Sequence, residues 1–172
     1  MKTYTIAEMA WSHTGSYELA EEMLYGASKA GVNAISIHIT DMPTYMVKDY
    51  KCIAGTTLSD SADSQLSIYN YLDGINLLQD EWIKFSHKAE ELMVDLIVMC
   101  NDQNSFIFSK KLSVKKYVVS AASFLEKDLI RNIVSCNNDI IIRTGGATLE
   151  EVDEIFDFIY KIDENSKICL LA

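Results

Sequence analysis

Proline and glycine are scarce: one proline and seven glycines in 172 residues. That scarcity excludes collagen-like, linker-rich and low-complexity chains. Positive charge is also in short supply. Fifteen Lys and Arg stand against 25 Asp and Glu, for a formal charge of −10. Non-specific nucleic-acid binding and attachment to anionic membranes both need clustered cations, so neither is expected. Lys110, Lys111, Lys115 and Lys116 form the one basic cluster, and it reads as a solvated face. Cys52, Cys100, Cys136 and Cys169 are far apart, with no CxxC or other metal-ligand spacing. No signal-peptide pattern and no apolar run of membrane-span length is present. A cytoplasmic location with free thiols is the expectation. G-x-G-x-x-G after the first strand and a P-loop are both missing, which leaves a nucleotide site without support.

What remains is ordinary globular material, 49% hydrophobic and 23% charged. A chain of this length buries roughly 70% of its unfolded surface, enough for one domain spanning 1–172. The stretch from Ile140 to Glu151, Ile-Ile-Ile-Arg-Thr-Gly-Gly-Ala-Thr-Leu-Glu-Glu, sets the pattern for the rest. Three β-branched residues without polar alternation read as a strand buried on both faces. Two glycines permit a sharp exit, and Thr148 with Glu151 has capping-box spacing for a following helix. Strand, turn and capped helix make one β/α unit.

The same unit recurs along the chain. Strands are expected at Thr3–Ala10, Ala34–Ile39, Asp95–Cys100, Lys116–Ala121, Ile140–Ile142 and Lys167–Ala172. Helices are expected from Ser16 to about Ala30, over Gln65–Leu78, from Asp80, over Ser105–Leu112 and Leu125–Cys136, and over Leu149–Ile162. Thr40–Ser64 reads as one long irregular segment holding the proline, Asp60 and Asp63; segments of that length are commonly functional. Six strands joined by helices predict a parallel α/β fold. It is either an open doubly wound sheet or a TIM-barrel-like (β/α) barrel left incomplete at about six strands, since a full barrel needs eight.

Ligand chemistry in such folds sits at the carboxyl ends of the strands. Glu8 and His38 are there as candidate acid or base groups, and Arg143 and Thr144 as candidate substrate-binding groups. Each has a plainer reading. Glu8 would pair with Arg143 across the mouth, His38 would be a buried hydrogen-bonded histidine, and His13 would stabilise a turn. Cys100 reads as a buried inert thiol, and Asn101-Asp102 as a turn rather than a ligand pair. No metal site is expected from the residues.

Several blocks resemble the sialic acid synthase family in order and spacing. Thr5-Ile6-Ala7-Glu8-Met9 with His13 and Gly15 resembles that family's Ile-Ala-Glu-Ile-Gly opening followed by Asn-His-x-Gly. Ser67-Ile68-Tyr69 with Asp80-Glu81-Trp82 resembles its second helical region. Thr144-Gly145 with Ala147-Thr148-Leu149-Glu150-Glu151 resembles its Ser-Thr-Gly-Met-Ala-Thr-Leu-Glu-Glu block. The resemblance runs from about Thr3 to Leu171. It implies a TIM barrel that condenses phosphoenolpyruvate with an N-acetylated amino sugar, using a divalent metal such as manganese.

Carried over position by position, the resemblance places Glu8 in the sugar site. The phosphoenolpyruvate-binding lysine of the second strand falls at Ser36. The lysine of the fourth-strand Tyr-Lys motif falls at Val118, after Tyr117. A serine falls near Ala121, a glutamate near Ser123, and the turn after strand three becomes Met99-Cys100-Asn101-Asp102. Ser36, Ser123 and Asp102 therefore join Arg143 and Thr144 as candidate substrate-binding residues. The family's metal-binding histidines lie on strands seven and eight, which have no counterpart here, so no cofactor is expected. The resemblance implies a divergent barrel that has lost condensation and serves as a binding or partner subunit linked to amino-sugar metabolism. It would self-associate, or be completed by another chain, through its strand edges. The resemblance allows a small anionic or amino-sugar ligand. The other reading is an active or repurposed synthase completed by another chain.

Overall fold

The structure is a computed structural model that describes residues 3–48 and 68–171. The parts of the long segment at 49–67, with Cys52, Asp60, Asp63 and the start of the helix expected from Gln65, lie outside the described residues. The strands are β1 (Ile6–Ala10), β2 (Ala34–Ile39), β3 (Asp95–Cys100), β4 (Val114–Val119), β5 (Asp139–Arg143) and β6 (Ile168–Leu171). The helices are α1 (Tyr17–Lys29), α2 (Met42–Tyr45), α3 (Ile68–Gly74), α4 (Gln79–Glu91), α5 (Gln103–Ser109), α6 (Lys127–Val134) and α7 (Leu149–Ile162).

All the strand pairs are parallel, and the spatial order is β1-β2-β3-β4-β5-β6. A doubly wound sheet reverses its strand order at a switch point. This sheet never reverses, so right-handed crossovers put every helix on the same side and the sheet curls away from them. The result is a half-barrel with helices outside, and it decides between the two architectures left open by the sequence.

Alternation along the strands creates two faces. The outer set, including Ile35, Ile37, Leu96, Val98, Tyr117, Val119, Ile140 and Ile142, packs with Leu24, Trp82, Phe85, Ile130, Ile133, Ile155 and Ile159 from the helices. That layer is the main core. The inner set is smaller: Ala34, Ile97, Met99, Val118 and Ile141 pack against one another on the concave side. Polar residues close the lower, N-terminal end of this interior. The Tyr4 hydroxyl donates to Asp95 at 2.6 Å, Lys116 pairs with Asp139, and the Lys116 ammonium lies 5.4 Å from the Tyr4 ring centre.

Local chemistry fixes the helix starts. Ser16 accepts from the Leu19 N–H to cap α1. The Glu81 carboxylate accepts from the Leu78 N–H at α4. Thr148 and Glu151 form the expected reciprocal capping box at α7. Gly15 has φ +83°, and a Cβ there would lie 2.9 Å from the Gly74 carbonyl oxygen. Both facts require glycine, and they let the β1–α1 turn sit against the end of α3.

Some boundaries differ from the sequence expectation. β1 begins at Ile6 rather than Thr3. β4 begins two residues earlier than expected and ends at Val119. The charged pair Lys115-Lys116 disguised its start, but Lys116 is drawn inward by Asp139. α2 lies inside the segment read as irregular, with Pro43 in its first turn, where a missing N–H costs nothing.

Candidate functional site

Register brings four of the sequence candidates together at the upper, C-terminal rim of the interior. Glu8 on β1 lies opposite Ser36 on β2, and His38 follows two residues on, along the same face. Arg143 ends β5. Although β1 and β5 are separated by three strands, the Arg143 Nη2 donates to Glu8 Oε2 at 2.7 Å. Only a strongly curled sheet permits that contact. His38 Nε2 lies 3.5 Å from Glu8 Oε1, and the Ala10 N–H donates to the same oxygen at 3.2 Å. Trp11 meets the His38 ring edge-on, with centroids 6.5 Å apart.

Burial pushes the Glu8 carboxyl up, but the His38 imidazole, the neighbouring Ser36 hydroxyl and the Arg143 guanidinium outweigh it and hold the group below the ordinary glutamate value. Glu8 is therefore an anion in a cluster of donors. Arg143 Nε is buried and makes no hydrogen bond among the described residues, while Ser36 Oγ and His38 Nε2 are buried with Glu8 as the group they face.

The other candidates take different places. Thr144 donates its N–H to the Leu171 carbonyl at 3.0 Å and so ties the end of β5 to β6. Ser123 is buried in the turn after β4, its N–H donating to the Ser120 carbonyl and hydroxyl. Asp102 is buried and its carboxylate accepts from four groups: the Asp41 N–H, the Thr44 hydroxyl, and the N–H and hydroxyl of Ser105. It caps α5 and anchors α2. No hydrogen bond or ion pair among the described residues joins Ser123 or Asp102 to the Glu8 cluster.

His13 is buried, its Nδ1 accepts from the Gly15 N–H, and Trp82 meets it edge-on. Burial holds its imidazole below the ordinary value, with Glu81 opposing and His38 adding to the shift. The turn-stabilising reading of His13 fits this placement. Cys100 is fully buried, and burial pushes its thiol up to about 12, so it is not a nucleophile at neutral pH. The Ala10 N–H and Trp11 were not among the sequence candidates; a backbone donor and an apolar ring leave no mark in a motif.

The positions that the resemblance assigns to two lysines face the interior. Ser36 is 2% exposed, and Val118 is 3% exposed within the inner apolar set. Lys116 is also inward, but at the opposite end and paired with Asp139. A divalent metal does not fit the rim. Glu8 and His38 offer two donors, the Arg143 cation stands against the same carboxylate, and no group of three or more His, Cys, Asp or Glu among the described residues is placed to hold an ion. No described helix is long and apolar enough to cross a membrane.

Residues 23–172 match the model of the NeuB family. The chain is 24% identical over 152 residues to N-acetylneuraminate-9-phosphate synthase of Drosophila melanogaster, covering 88% of this chain and 40% of that protein. It is 24% identical over 166 residues to N,N'-diacetyllegionaminic acid synthase of Legionella pneumophila, covering 96% of this chain and 46% of that one. It thus spans less than half the length of these relatives. Among solved structures, the N-acetylneuraminic acid synthetase of Leptospira borgpetersenii superposes with a TM-score of 0.78 at 15% identity, over 99% of this chain and 53% of that one. At that identity the likeness speaks for the fold.

Proposed function

The chain belongs to the NeuB family, and from that premise we propose that it keeps the family's barrel scaffold without the condensation of phosphoenolpyruvate, acting as a binding or partner subunit linked to amino-sugar metabolism. One observation carries the reading. Where the resemblance expects two cations facing the interior, the chain presents a buried serine and a buried valine. Phosphoenolpyruvate carries a carboxylate and a phosphate, and holding it takes fixed cations. Loss of two charge-assisted contacts costs about 3–6 kcal/mol, or about two to four orders of magnitude in affinity. Arg143 supplies one cation at the rim, and its Nη2 is already bound to Glu8.

The test is an assay of the purified chain with phosphoenolpyruvate, N-acetylmannosamine and Mn²⁺. No phosphate release above the uncatalysed rate is expected. Steady turnover abolished by Glu8→Gln would overturn the reading.

A second reading has its own support. Within the described residues β1 and β6 each leave one edge unpaired, and Ile6, Leu170 and Leu171 are exposed there. Those edges suit strands from another chain or a second copy, which would complete the barrel and with it an active or repurposed synthase site. Turnover that appears only on adding a partner chain would favour this reading.

A further inference from the structure

We propose that the rim of the half-barrel is a cradle for one small monocarboxylate, and that the Glu8 side chain is its built-in occupant. This deepens the reading above and rests on it, because a rim emptied of its enol-phosphate grip still contains a donor set.

Donors from three strands converge on the Glu8 carboxylate. Arg143 at the end of β5 binds Oε2, while the Ala10 N–H of β1 binds Oε1. His38 on β2 lies 3.5 Å from Oε1. The cradle offers more than Glu8 uses. Ser36 Oγ is buried directly across the register from Glu8 and adds a hydroxyl to the donor set. Arg143 Nε is buried and unpaired among the described residues. A guanidinium and a carboxylate pair best through two parallel hydrogen bonds. Glu8, tethered to β1, engages Arg143 through Nη2 alone. A free carboxylate has no tether, so it can lie along Nε and Nη2 together and still meet the Ser36 hydroxyl.

Charge chooses the ligand class. Arg143 and Glu8 neutralise each other, with the His38 imidazole beside them. Exchanging one carboxylate for another preserves that balance. A phosphate dianion would bring a second negative charge, and among the described residues of the cluster Arg143 is the one permanent cation. Entry requires Glu8 to leave, and its side chain is 41% exposed, so its way out leads to solvent. In the wild-type chain a ligand must therefore compete with Glu8 at very high effective concentration.

The experiment titrates wild type and Glu8→Ala with sodium acetate and, separately, with inorganic phosphate at constant ionic strength. Binding is followed by thermal melting and by the NMR signal of the Arg143 side chain. Acetate is expected to bind Glu8→Ala saturably and at least tenfold more tightly than wild type, and more tightly than phosphate. The double variant Glu8→Ala, Arg143→Ala is expected to lose the response. Equal acetate affinity in wild type and variant, tighter binding of phosphate than acetate, or a response that survives removal of Arg143 would each overturn the proposal. If Glu8→Ala does not fold, Glu8→Gln goes through the same titration, and absence of a gain there is equally fatal. Condensation by the wild-type chain would sink the functional reading alone; the acetate comparison is decided separately.

Discussion

Ala10 has φ +47°, a left-handed conformation that a Cβ disfavours, at the point where its N–H turns to meet Glu8. The resembling family opening has glycine at this position, and the torsion supplies the reason. Ala10→Gly removes a penalty of about 1–2 kcal/mol and returns part of it as unfolded-chain entropy, so a net gain of about 1 kcal/mol in urea unfolding is expected. His13 makes a pH prediction. Its imidazole is buried neutral, with its folded pKa below the ordinary 6.5. Below 6.5 the unfolded chain binds the extra proton, so its contribution is complete above that value and is lost as pH falls through the folded pKa. Unfolding followed from pH 8 to pH 5 should show stability falling below about pH 6.5, and His13→Gln should flatten that slope. The Glu8–Arg143 pair was legible in sequence because both residues stand at strand ends of a parallel fold, where register carries them to one rim. The unpaired, buried Arg143 Nε was not, since a motif records residue types and not which donors find partners.

Asp102 shows how a carboxylate in a loop becomes structural. It joins the start of α5 to α2 through four accepted hydrogen bonds, beside Asp41, whose own carboxyl is held low by Thr44 and Asn104. Asp102→Ala strands buried donors at both helices and should cost about 2–4 kcal/mol in denaturant unfolding. The motif reading placed Asp102 with the ligand, and its contacts among the described residues join the starts of α2 and α5. β2, β3 and α7 matched their sequence expectations end to end, because apolar runs and the Thr148–Glu151 box mark them sharply. β4 did not, because two lysines hid an inward position that only the tertiary partner Asp139 explains. α2 was hidden for a similar reason: its four residues are too few to show a helical period, and proline in a first turn looks the same as proline in a loop.

At the scale of the molecule, six consecutive parallel strands curl far enough for the first and fifth to touch through Glu8 and Arg143, yet among the described residues two edges stay unpaired. Exposed apolar edges favour association. Light scattering across a concentration series should show mass above the monomer, and Ile6→Lys with Leu170→Lys should return the chain to monomer. A wild-type monomer at high micromolar concentration would remove the expectation. Strand count and parallel direction could be read from periodicity and spacing, whereas the curl into an incomplete barrel came from the family resemblance, because curvature depends on every crossover packing on one side.

We propose that this NeuB-family scaffold has exchanged a cationic grip on an enol phosphate for neutral side chains at Ser36 and Val118. Calorimetric titration with phosphoenolpyruvate, with and without Mn²⁺, tests it most directly. No saturable heat is expected, and no thermal stabilisation of the kind that a ligand at a hundred times its dissociation constant gives, about 2.7 kcal/mol. Saturable binding at micromolar concentration, weakened by Arg143→Ala, would contradict it.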